Sequence, residues 1–342
     1  MSSNVTLKQI ALKLDLSTMT VSRALNNPSM VGKSTRQKVL EAAKSMGYSP
    51  NHIAKSLVSR KTFTLGVIIP QISHSFFPEI VRGIEEIAYD GNYQLLLTQS
   101  AESFEKEVKN IETLRSKRVD GILVSSAQTI VDYKYYKRVI NAGLPFVFFD
   151  RCVEDIGASC VSVNDRTSSR RITQHLIDHG YEKIAHLSGP QKVTIGYERS
   201  EGYKEALSKN GLPVNPKWIV ENGFNEKGGY EAMKKILDLP ADEHPRAVVA
   251  VNDPVAFGAM EAIRDYGLSI PDDIAIVGFS DDIRAKLMPC PLTTVFQPAY
   301  EVGKKAAEKL LKIIDHVNEP IENIEVITQN RIRESCGCNS KN

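Results

Sequence analysis

The chain has 342 residues, 42% of them apolar and 25% charged, which are the proportions of an ordinary soluble globular protein. This composition excludes disorder as the dominant state, and no apolar run approaches the roughly 18 residues that a membrane span needs. The N-terminus has no uninterrupted apolar segment, so we expect no secretory signal, no membrane partner and a cytoplasmic protein. The length predicts two or three domains.

The net charge of +2 conceals an asymmetry along the chain. Residues 1–61 hold ten basic and two acidic side chains, whereas residues 62–342 hold 33 basic and 39 acidic ones. A basic segment joined to an acidic remainder is typical of a nucleic-acid-binding module attached to a second function, although charge alone fits a membrane surface equally well. The local pattern has to decide between these two partners.

The basic segment begins with two short predicted helices. Thr6 and Gln9 have the spacing of a capping box, and apolar residues then recur at helical spacing. Ser17 or Thr18 begins a second helix, which Asn26 ends. Two short helices separated by three or four residues predict a helix-turn-helix.

The second helix is expected to turn a small polar face outward, because Val21, Ala24 and Leu25 share the opposite face. The outward residues are Thr18, Met19, Ser22, Arg23 and Asn26. Such a face suits the major groove, where Arg pairs with guanine and Thr or Met contacts a thymine methyl group. A solvated helix face is the alternative interpretation, and the basic charge together with the helix pairing favours DNA.

A third helix and a short fourth one follow. Ser34 and Gln37 have capping-box spacing, and Gly47 ends the third helix. A short helix capped by Ser49 then carries Leu57. This side chain either wedges between base steps in the minor groove or packs on the next domain, and the residues alone leave both interpretations open.

From Thr64 onward, short apolar runs alternate with amphipathic helical runs such as FFPEIVRGIEEIAYDGN and PVAFGAMEAIRDYG. The apolar runs are LGVIIP, YQLLLTQ, GILVSS, PFVFFD, CVSVN, KIAHLSG, AVVAVND and IAIVGFS. Near-continuous apolar strands that alternate with helices predict parallel sheets covered on both faces. The pattern breaks near residues 150–162 and then repeats, so we expect two similar α/β lobes with a cleft between them.

In doubly wound sheets, ligands bind beyond the carboxyl ends of the strands. The residues at those ends are Ser73, Phe76, Phe77, Asp150, Arg151, Asn252, Asp253, Ser280, Asp281 and Asp282. Carboxylates, amides and Arg beside aromatic rings predict a site that hydrogen-bonds hydroxyl groups and stacks on an apolar sugar face. For Asp253, which precedes Pro254, a helix cap is an equally good interpretation.

The cysteines and histidines predict neither disulfides nor a metal site. An odd number of scattered cysteines argues against a disulfide framework and fits a reducing compartment. Cys336 and Cys338 form a CxC pair that we interpret as part of a loose polar tail, because no second Cys or His pair stands at ligand spacing. The same holds for His74, His175, His179 and His186.

No catalytic motif is present in the sequence. We find no GxGxxG, GxSxG, HExxH or complete phosphate-binding loop, so we expect neither an enzyme nor a cofactor. A periplasmic-type binding protein is the other alternative. The absent export signal and the basic N-terminal module argue against it.

With both halves in view, the sequence resembles the lac repressor / galactose repressor family of bacterial transcription regulators over essentially the whole chain. The motifs that carry the resemblance are TLKQIALKLDLSTMTVSRALN, VGKSTRQKVLEAAKSMGYSPNHIAKSL, LGVIIP, DGILV, HLSGP, NDPVAFGAM, DDIAIVGFSD and PLTTVFQP. It implies an N-terminal all-α helix-turn-helix domain and a periplasmic-binding-protein-like core of two doubly wound parallel-sheet lobes. The expected boundaries are 1–48 for the DNA-binding domain, 49–61 for the hinge helix and linker, and 62–338 for the effector-binding and dimerisation core, with 62–162 and 292–323 in the first lobe and 163–291 and 324–338 in the second.

The resemblance also implies roles for individual residues in DNA binding. Base contacts fall to Thr18, Met19 and Arg23, and Leu57 becomes the hinge-helix wedge, which resolves the alternative left open above. Met19 stands where other members often have a polar residue, so the operator preference is expected to differ. The full predicted DNA-contacting set is Thr6, Ser17, Thr18, Met19, Thr20, Ser22, Arg23, Asn26, Ser34, Tyr48, Asn51, Ala54, Lys55 and Leu57.

For the effector, the resemblance implies contacts from both lobes. The predicted set is Ser73, Phe76, Phe77, Arg151, Arg199, Phe224, Asn252, Asp253, Ser280 and Asp281. The chain departs from the family after Gly278-Phe279, where many members have two acidic residues and this one has Ser280-Asp281. Both of these residues are therefore kept as alternatives for the ligand contact.

The resulting hypothesis is a homodimeric, nucleoid-associated regulator that binds a pseudo-palindromic operator. It represses carbohydrate-utilisation genes until a small sugar-like effector changes the angle between the lobes, which requires the effector to bind the two lobe arrangements with different affinity. An apolar stripe formed by Ile80, Ile84 and Ile87 either is exposed and contributes to the dimer interface or belongs to the core.

Overall fold

The structure is a computed structural model that describes residues 5–26, 30–48, 61–73, 75–129, 132–153, 155–316 and 318–338. The chain divides into two compact units, Met1–Thr62 and Phe63–Asn342, and each is described by itself. The predicted hinge contacts Asn51, Ala54, Lys55 and Leu57 lie outside the described residues. None of the described helices is long and apolar enough to cross a bilayer.

The first unit contains three described helices, α1 (Leu7–Leu14), α2 (Thr18–Asn26) and α3 (Lys33–Ser45). Their shared core includes Ile10, Val21 and Val39, all of which are fully buried. The predicted capping box at the start of α1 is confirmed, because the Thr6 hydroxyl accepts the Gln9 amide and the Gln9 side chain accepts the Thr6 amide. The predicted helix pairing therefore exists.

The capping box predicted at the start of α3 is wrong. Gly32 occupies the N-cap position, and glycine has no side chain with which to cap the helix. The Gln37 amide instead donates to the Glu41 carboxylate at 2.8 Å, one helical turn further along. Ser34 lies inside the first turn and is exposed.

The second unit is built on two six-stranded sheets, which confirms the two predicted parallel-sheet lobes. The first sheet has the order β11-β5-β4-β3-β1-β2, and its five pairings are all parallel. The second has the order β12-β10-β9-β8-β6-β7, with β10 and β12 antiparallel. The strands are β1 (Thr64–Ile69), β2 (Gln94–Gln99), β3 (Gly121–Val124), β4 (Phe146–Phe149), β5 (Ser159–Val163), β6 (Ile184–Ser188), β7 (Ile219–Glu221), β8 (Ala247–Ala250), β9 (Ala275–Ser280), β10 (Thr293–Phe296), β11 (Asn323–Val326) and β12 (Gln329–Arg331).

Helices connect the strands in the order expected of doubly wound sheets. They are α4 (Phe76–Asp90), α5 (Phe104–Ser116), α6 (Tyr133–Asn141), α7 (Asp165–Asp178), α8 (Thr194–Lys209), α9 (Glu226–Leu237), α10 (Asp253–Asp265) and α11 (Ala299–Asp315). Short 3-10 helices cover Pro216–Trp218, Ala241–Glu243, Ala285–Leu287 and Glu334–Cys336. All eight predicted strands are present, and the four that the sequence did not reveal (β7, β10, β11 and β12) have only three or four residues each.

Two lobe boundaries differ from the expectation. Strand β10, expected in the first lobe, pairs with β9 in the second sheet, with Thr293 opposite Val277. Strand β11, expected to straddle the boundary, pairs throughout with β5 in the first sheet, with Asn323 opposite Cys160. Because sheet membership depends on pairing across the fold, these short strands carry no local signal of the lobe to which they belong.

The apolar stripe on α4 belongs to the core, so of the two interpretations the core is confirmed and an exposed interface at these residues is wrong. Ile80 and Ile84 are fully buried, and Ile87 packs against the same core. Helix α11 crosses α4 at two glycines, because a Cβ atom at Gly83 would lie 2.1 Å from the Tyr300 carbonyl oxygen and one at Gly303 would lie 2.0 Å from the Ile80 carbonyl oxygen. Helix α11 of the same chain therefore covers this face of α4.

The cysteines also differ from the expectation. Cys152, which follows β4, and Cys160 in β5 form a disulfide with a Cα to Cα distance of 6.0 Å. The CxC pair is not part of a loose tail, because Cys336 is fully buried against α7 and β10. Both cysteine interpretations from sequence were therefore wrong.

Candidate effector cavity and DNA-reading surface

The two lobes enclose a cavity of about 280 Å³ at the carboxyl ends of their strands. This is where doubly wound sheets bind ligands, and the volume lies at the lower end of the range for ligand pockets. The lining residues are Gln71, Phe76, Phe77, Ala101, Glu102, Gln128, Asp150, Arg151, Ile195, Arg199, Phe224, Asn225, Asn252, Pro254, Ser280, Asp282 and Gln297.

Seven of the ten residues predicted for the effector line this cavity: Phe76, Phe77, Arg151, Arg199, Phe224, Asn252 and Ser280. Ser73, Asp253 and Asp281 do not line it. Ser73 is exposed, and the other two side chains bond to residues inside the second lobe.

Arg151 joins the charged and aromatic parts of the cavity. Its guanidinium donates to the Glu102 carboxylate at 2.7 Å and lies over the Phe224 ring at 4.4 Å from the centroid. The buried Nε of Arg151 has no hydrogen-bond partner within the described chain, and neither has the buried Oε1 of Gln128. These two atoms are therefore a donor and an acceptor that a ligand can satisfy.

Arg199 is held in place by contacts within the second lobe that do not depend on a ligand. Its guanidinium pairs with the Asp165 carboxylate at 2.7 Å, donates to the Val251 carbonyl oxygen at 2.6 Å and stacks on Phe279 at 3.6 Å from the ring centroid. Burial raises the pKa of Asp165 to about 6, and the charge of Arg199 offsets part of that effect. Arg199 thus supports the cavity wall in addition to lining it.

Asn252 and Asp253 have different roles at the start of α10. The Asn252 side chain caps the helix by accepting the Val255 amide at 2.9 Å, and its amide group donates to the Phe224 carbonyl oxygen at 3.0 Å. The fully buried Asp253 carboxylate accepts the Thr294 hydroxyl at 2.6 Å and the Asp282 amide at 2.7 Å. Burial raises the pKa of Asp253 to about 7, since both hydrogen bonds only partly offset desolvation.

The carboxylate that reaches the cavity beyond β9 is that of Asp282. Asp281 points back to Arg333, 2.7 Å away. Burial opposes the ionisation of Asp282, but its hydrogen bonds with Arg284 and Ser75 outweigh burial and keep its pKa below the usual value. Asp282 therefore stays negatively charged at the cavity edge.

Backbone strain is concentrated around the cavity. Among the described non-glycine residues with positive φ, four line it: Ala101 (50°), Glu102 (60°), Asp150 (60°) and Ser280 (125°). Ser280 ends β9, Asp150 directly follows β4, and Ala101 and Glu102 lie within three residues of the end of β2. Side chains rarely adopt such φ values unless the surrounding structure enforces them, and strained residues of this kind cluster at ligand sites.

Several cavity residues were missed from the sequence although a signal existed. Glu102 follows β2 and Gln128 follows β3, so the strand-end rule that predicted Phe76 and Arg151 also applies to them. Gln297 follows β10, a strand that the sequence did not reveal. The residues predicted from this rule follow four strands only. Ile195 and Asn225 lie at helix starts that face the cavity from the second lobe and carry no comparable signal.

In the first unit, α2 exposes the predicted DNA-reading face. Thr18, Met19 and Arg23 are exposed, with Met19 at 60%, whereas Val21 and Ala24 are fully buried. The Ser17 hydroxyl accepts the Thr20 amide at 3.0 Å and so caps the helix. Ser17 is exposed, Thr20 and Ser22 are half-buried, and Tyr48 packs on the core of the unit.

The two units define a class of protein, a helix-turn-helix module joined to a two-lobed ligand-binding core. The model of bacterial regulatory proteins of the lacI family matches residues 6–51, and that of periplasmic binding proteins and the sugar-binding domain of the LacI family matches residues 62–334. The chain is 36% identical to catabolite control protein A of Priestia megaterium over 91% of this chain and 93% of that protein. It is 34% identical to the HTH-type transcriptional repressor PurR of Histophilus somni over 96% and 98% of the two chains.

Solved structures agree with this assignment. The lac repressor dimer bound to operator and the anti-inducer ONPF matches with a TM-score of 0.87 and 25% identity, over 98% of this chain and 99% of that one. A complex of the transcriptional regulator CelR with cellobiose matches with a TM-score of 0.74 and 28% identity, over 97% and 100% of the two chains. The chain belongs to the LacI family, and it is a DNA-binding transcription regulator rather than an enzyme.

Proposed function

We propose that this regulator is a repressor whose effector is a small, neutral, polyhydroxylated molecule, a sugar or sugar derivative, bound between the two lobes. The observation that carries the proposal is the charge pairing of the cavity. Arg151 is paired with Glu102 and Arg199 with Asp165, so both lining arginines already have carboxylate partners. A phosphate or carboxylate ligand would have to compete for these arginines and would also meet the carboxylates of Asp150 and Asp282.

The remaining lining groups suit a sugar. The rings of Phe76, Phe77 and Phe224 offer apolar faces, and the amides of Gln71, Gln128, Asn225, Asn252 and Gln297 surround them. Amides donate and accept hydrogen bonds, as hydroxyl groups do, and aromatic rings pack against the apolar face of a pyranose. The CelR complex with cellobiose supports the same ligand class.

We infer that the chain acts as a homodimer on a pseudo-palindromic operator in the cytoplasm, associated with the nucleoid. The lac repressor match, a dimer bound to operator, supports this assembly. Contacts with DNA fall to the predicted set on and around α2, with Arg23 for a guanine and Thr18 and Met19 for neighbouring bases. We assign the dimer surface to the edge strand β2 instead of α4. The consecutive Leu96 and Leu97 on β2 are 36% and 40% exposed.

A ligand screen followed by DNA binding tests this proposal. Neutral mono- and disaccharides, the corresponding sugar phosphates and sugar acids, and nucleosides are compared by thermal shift on the full chain. Each hit is then added to a gel-shift titration on palindromic genomic fragments at one stated salt concentration. We expect a neutral sugar to raise the melting temperature and to weaken operator binding.

Two glutamine-to-leucine variants test whether the ligand binds in the cavity. Gln128→Leu removes a cavity amide, whereas Gln329→Leu makes the same change at an exposed position on β12. We expect only the first to reduce the thermal shift. Stronger stabilisation by a sugar phosphate or a nucleoside would contradict the neutral-sugar assignment, and an effector that strengthens operator binding would contradict release of DNA.

A further inference from the structure

Two thiols and an imidazole meet at one point of the second lobe, far apart in the sequence. His175 lies near the end of α7, Cys336 ends the 3-10 helix Glu334–Cys336, and Cys338 follows two residues later. The Cys338 sulfur lies 3.0 Å from His175 Nε2 and 3.0 Å from the Cys336 sulfur, and the third side of the triangle, from His175 Nε2 to the Cys336 sulfur, is 3.5 Å.

The local backbone directs both sulfurs to the same side. Gly337, between the two cysteines, has a φ of +74°, and a Cβ atom there would lie 2.7 Å from the Tyr181 hydroxyl oxygen. That hydroxyl donates to the Cys336 carbonyl oxygen at 3.1 Å, which holds the turn against the residues that follow α7. The turn thus needs glycine, and it is fixed by a neighbour that belongs to the same lobe.

The sulfur of Cys336 is further oriented from β10. Thr293 Oγ1 lies 3.2 Å from it, and the same oxygen accepts the Arg333 amide at 2.8 Å. Helix α7, strand β10 and residues 333–338 therefore converge on a preformed group of soft ligands. Outer contacts of this kind orient the ligands of metal sites.

We propose that His175, Cys336 and Cys338 bind a zinc ion that fastens residues 334–338 to helix α7. Zinc prefers thiolate sulfur at about 2.3 Å and imidazole nitrogen at about 2.0–2.1 Å, in tetrahedral geometry. Two sulfurs on one tetrahedral ion lie ~3.8 Å apart, so the observed sulfurs need to separate by less than about 1 Å. The fourth position is then open to water or an added ligand.

This site is separate from the effector proposal, because none of its three ligands lines the cavity. One connection to the cavity runs through Arg333, whose guanidinium holds Asp281 at 2.7 Å. Asp281 precedes the cavity-lining Asp282. Zinc at the proposed position therefore stabilises the segment on which this contact depends.

Zinc binding to the full chain tests the site. The reduced protein is loaded with zinc sulfate, desalted and analysed by mass spectrometry of the metal, and its affinity is measured against a chromophoric chelator. We expect one zinc ion per chain, and at least a tenfold weaker affinity in each of His175→Ala and Cys338→Ser. Cys290→Ser, which removes a free cysteine that is not one of the three proposed ligands, is expected to bind like the unmodified chain.

Cobalt substitution adds a spectroscopic test of the ligands. Thiolate coordination is expected to give an intense sulfur-to-cobalt absorption band, which Cys338→Ser weakens and Cys290→Ser leaves unchanged. Because Cys336 is fully buried, Cys338→Ser at a half-buried position is the primary variant, and its metal-free melting temperature shows that the fold is retained.

Several results would overturn the proposal. One is a reduced chain that binds no zinc beyond the level of the His175→Ala variant, and another is equal loss of zinc in Cys290→Ser. Rapid formation of a Cys336–Cys338 disulfide in a reduced chain that still binds no zinc would assign the pair to redox chemistry instead.

Discussion

The Ser75 hydroxyl donates a hydrogen bond of 3.0 Å to the Asp282 carboxylate, and this bond connects the two lobes at the edge of the cavity. Ser75 stands at the N-cap of α4 in the first lobe, but it makes no cap hydrogen bond there. Asp282 belongs to the second lobe and is also held by Arg284 at 2.9 Å. The serine hydroxyl thus stabilises one arrangement of the lobes rather than its own helix.

Ser75→Ala is therefore expected to weaken effector binding at least tenfold. An effector that contacts both lobes favours the arrangement in which this bond exists, and a hydrogen bond to a charged group contributes about 1.5 to 3 kcal/mol. The affinity is measured by calorimetric titration of the effector found in the screen. Ser73→Ala, at an exposed position outside the cavity, is the matched control, and an equal effect of both changes would contradict the role of Ser75.

The choice between adjacent residues at this site illustrates what a sequence can predict. Strand alternation and the strand-end rule indicate that ligand contacts follow β9, but the backbone at Ser280 and Asp281 has φ values of 125° and 58°. This turn sends Asp281 toward Arg333 and Asp282 toward the cavity. Periodicity describes regular strands only, so it does not predict the direction of side chains in such a turn.

Elements with a long apolar or amphipathic pattern were predicted well, and features formed by distant residues were not. The eight strands with near-continuous apolar runs and the helix pairing of α1 and α2 have local signals. The cluster joins His175 to Cys336, 161 positions away, and the CxC pair alone does not indicate which distant histidine completes it. Helix α4 shows the same limit, because its apolar stripe is identical whether a second subunit or α11 covers it.

Arg199→Ala is expected to destabilise the core as well as to reduce the effector response. The change leaves the buried Asp165 carboxylate without its partner, and breaking a buried ion pair in this way costs about 3–5 kcal/mol. Urea unfolding monitored by circular dichroism measures the loss. Arg264→Ala, at a 71% exposed ion pair, should change the free energy of unfolding by less than about 1 kcal/mol.

The family resemblance predicts Arg199 as an effector contact, with no role in stability. An unchanged free energy of unfolding in this variant would restore that interpretation. The two contributions are separated by measuring operator affinity without effector, since a stable variant with intact DNA binding and no effector response can only have lost the ligand contact.

Leu97→Glu is expected to weaken the homodimer. Strand β2 lies at the edge of the first sheet, and its consecutive leucines point to opposite faces, yet both are exposed. A charge placed in an interface formed by this edge has no partner. Sedimentation equilibrium measures the dimer dissociation constant, which we expect to rise at least tenfold.

The matched control is Ile327→Glu, because Ile327 is an apolar residue that is 84% exposed between β11 and β12. It should leave the dissociation constant unchanged. A purely monomeric unmodified chain, or an equal effect of both changes, would remove β2 from the interface.

Glu107→Gln is expected to alter the pH dependence of stability. Glu107 is fully buried. Its carboxyl group accepts hydrogen bonds from the Ala127 backbone amide, at 2.7 Å, and from the Tyr136 hydroxyl. Burial raises its pKa to about 7, so the folded chain keeps a proton that the unfolded chain releases near pH 4.5. Between these values the unfolded state binds fewer protons, and the stability contributed by Glu107 falls as the pH rises.

From pH 4.5 to pH 7, the unmodified chain should therefore lose about 3 kcal/mol more of its free energy of unfolding than Glu107→Gln does. Urea titrations at several pH values within that range measure it. Taking the difference removes the contributions of Asp253 and Asp165, which are common to both proteins. A constant difference across the range would show that Glu107 ionises normally in the folded state.

Arg23→Ala is expected to lower specific operator affinity by about 1–3 kcal/mol and to relax the base preference at one position of each half-site. The reason is geometric, because Arg23 is exposed on the outward face of α2, and its two-pronged guanidinium can pair with both acceptors of a guanine edge. Arg23→Lys is the matched control, since it keeps the charge and loses the paired geometry. If Arg23 contacts a base, the lysine variant keeps the salt dependence of DNA binding but loses the base preference. A lysine variant that keeps the full base preference would assign Arg23 to a phosphate contact.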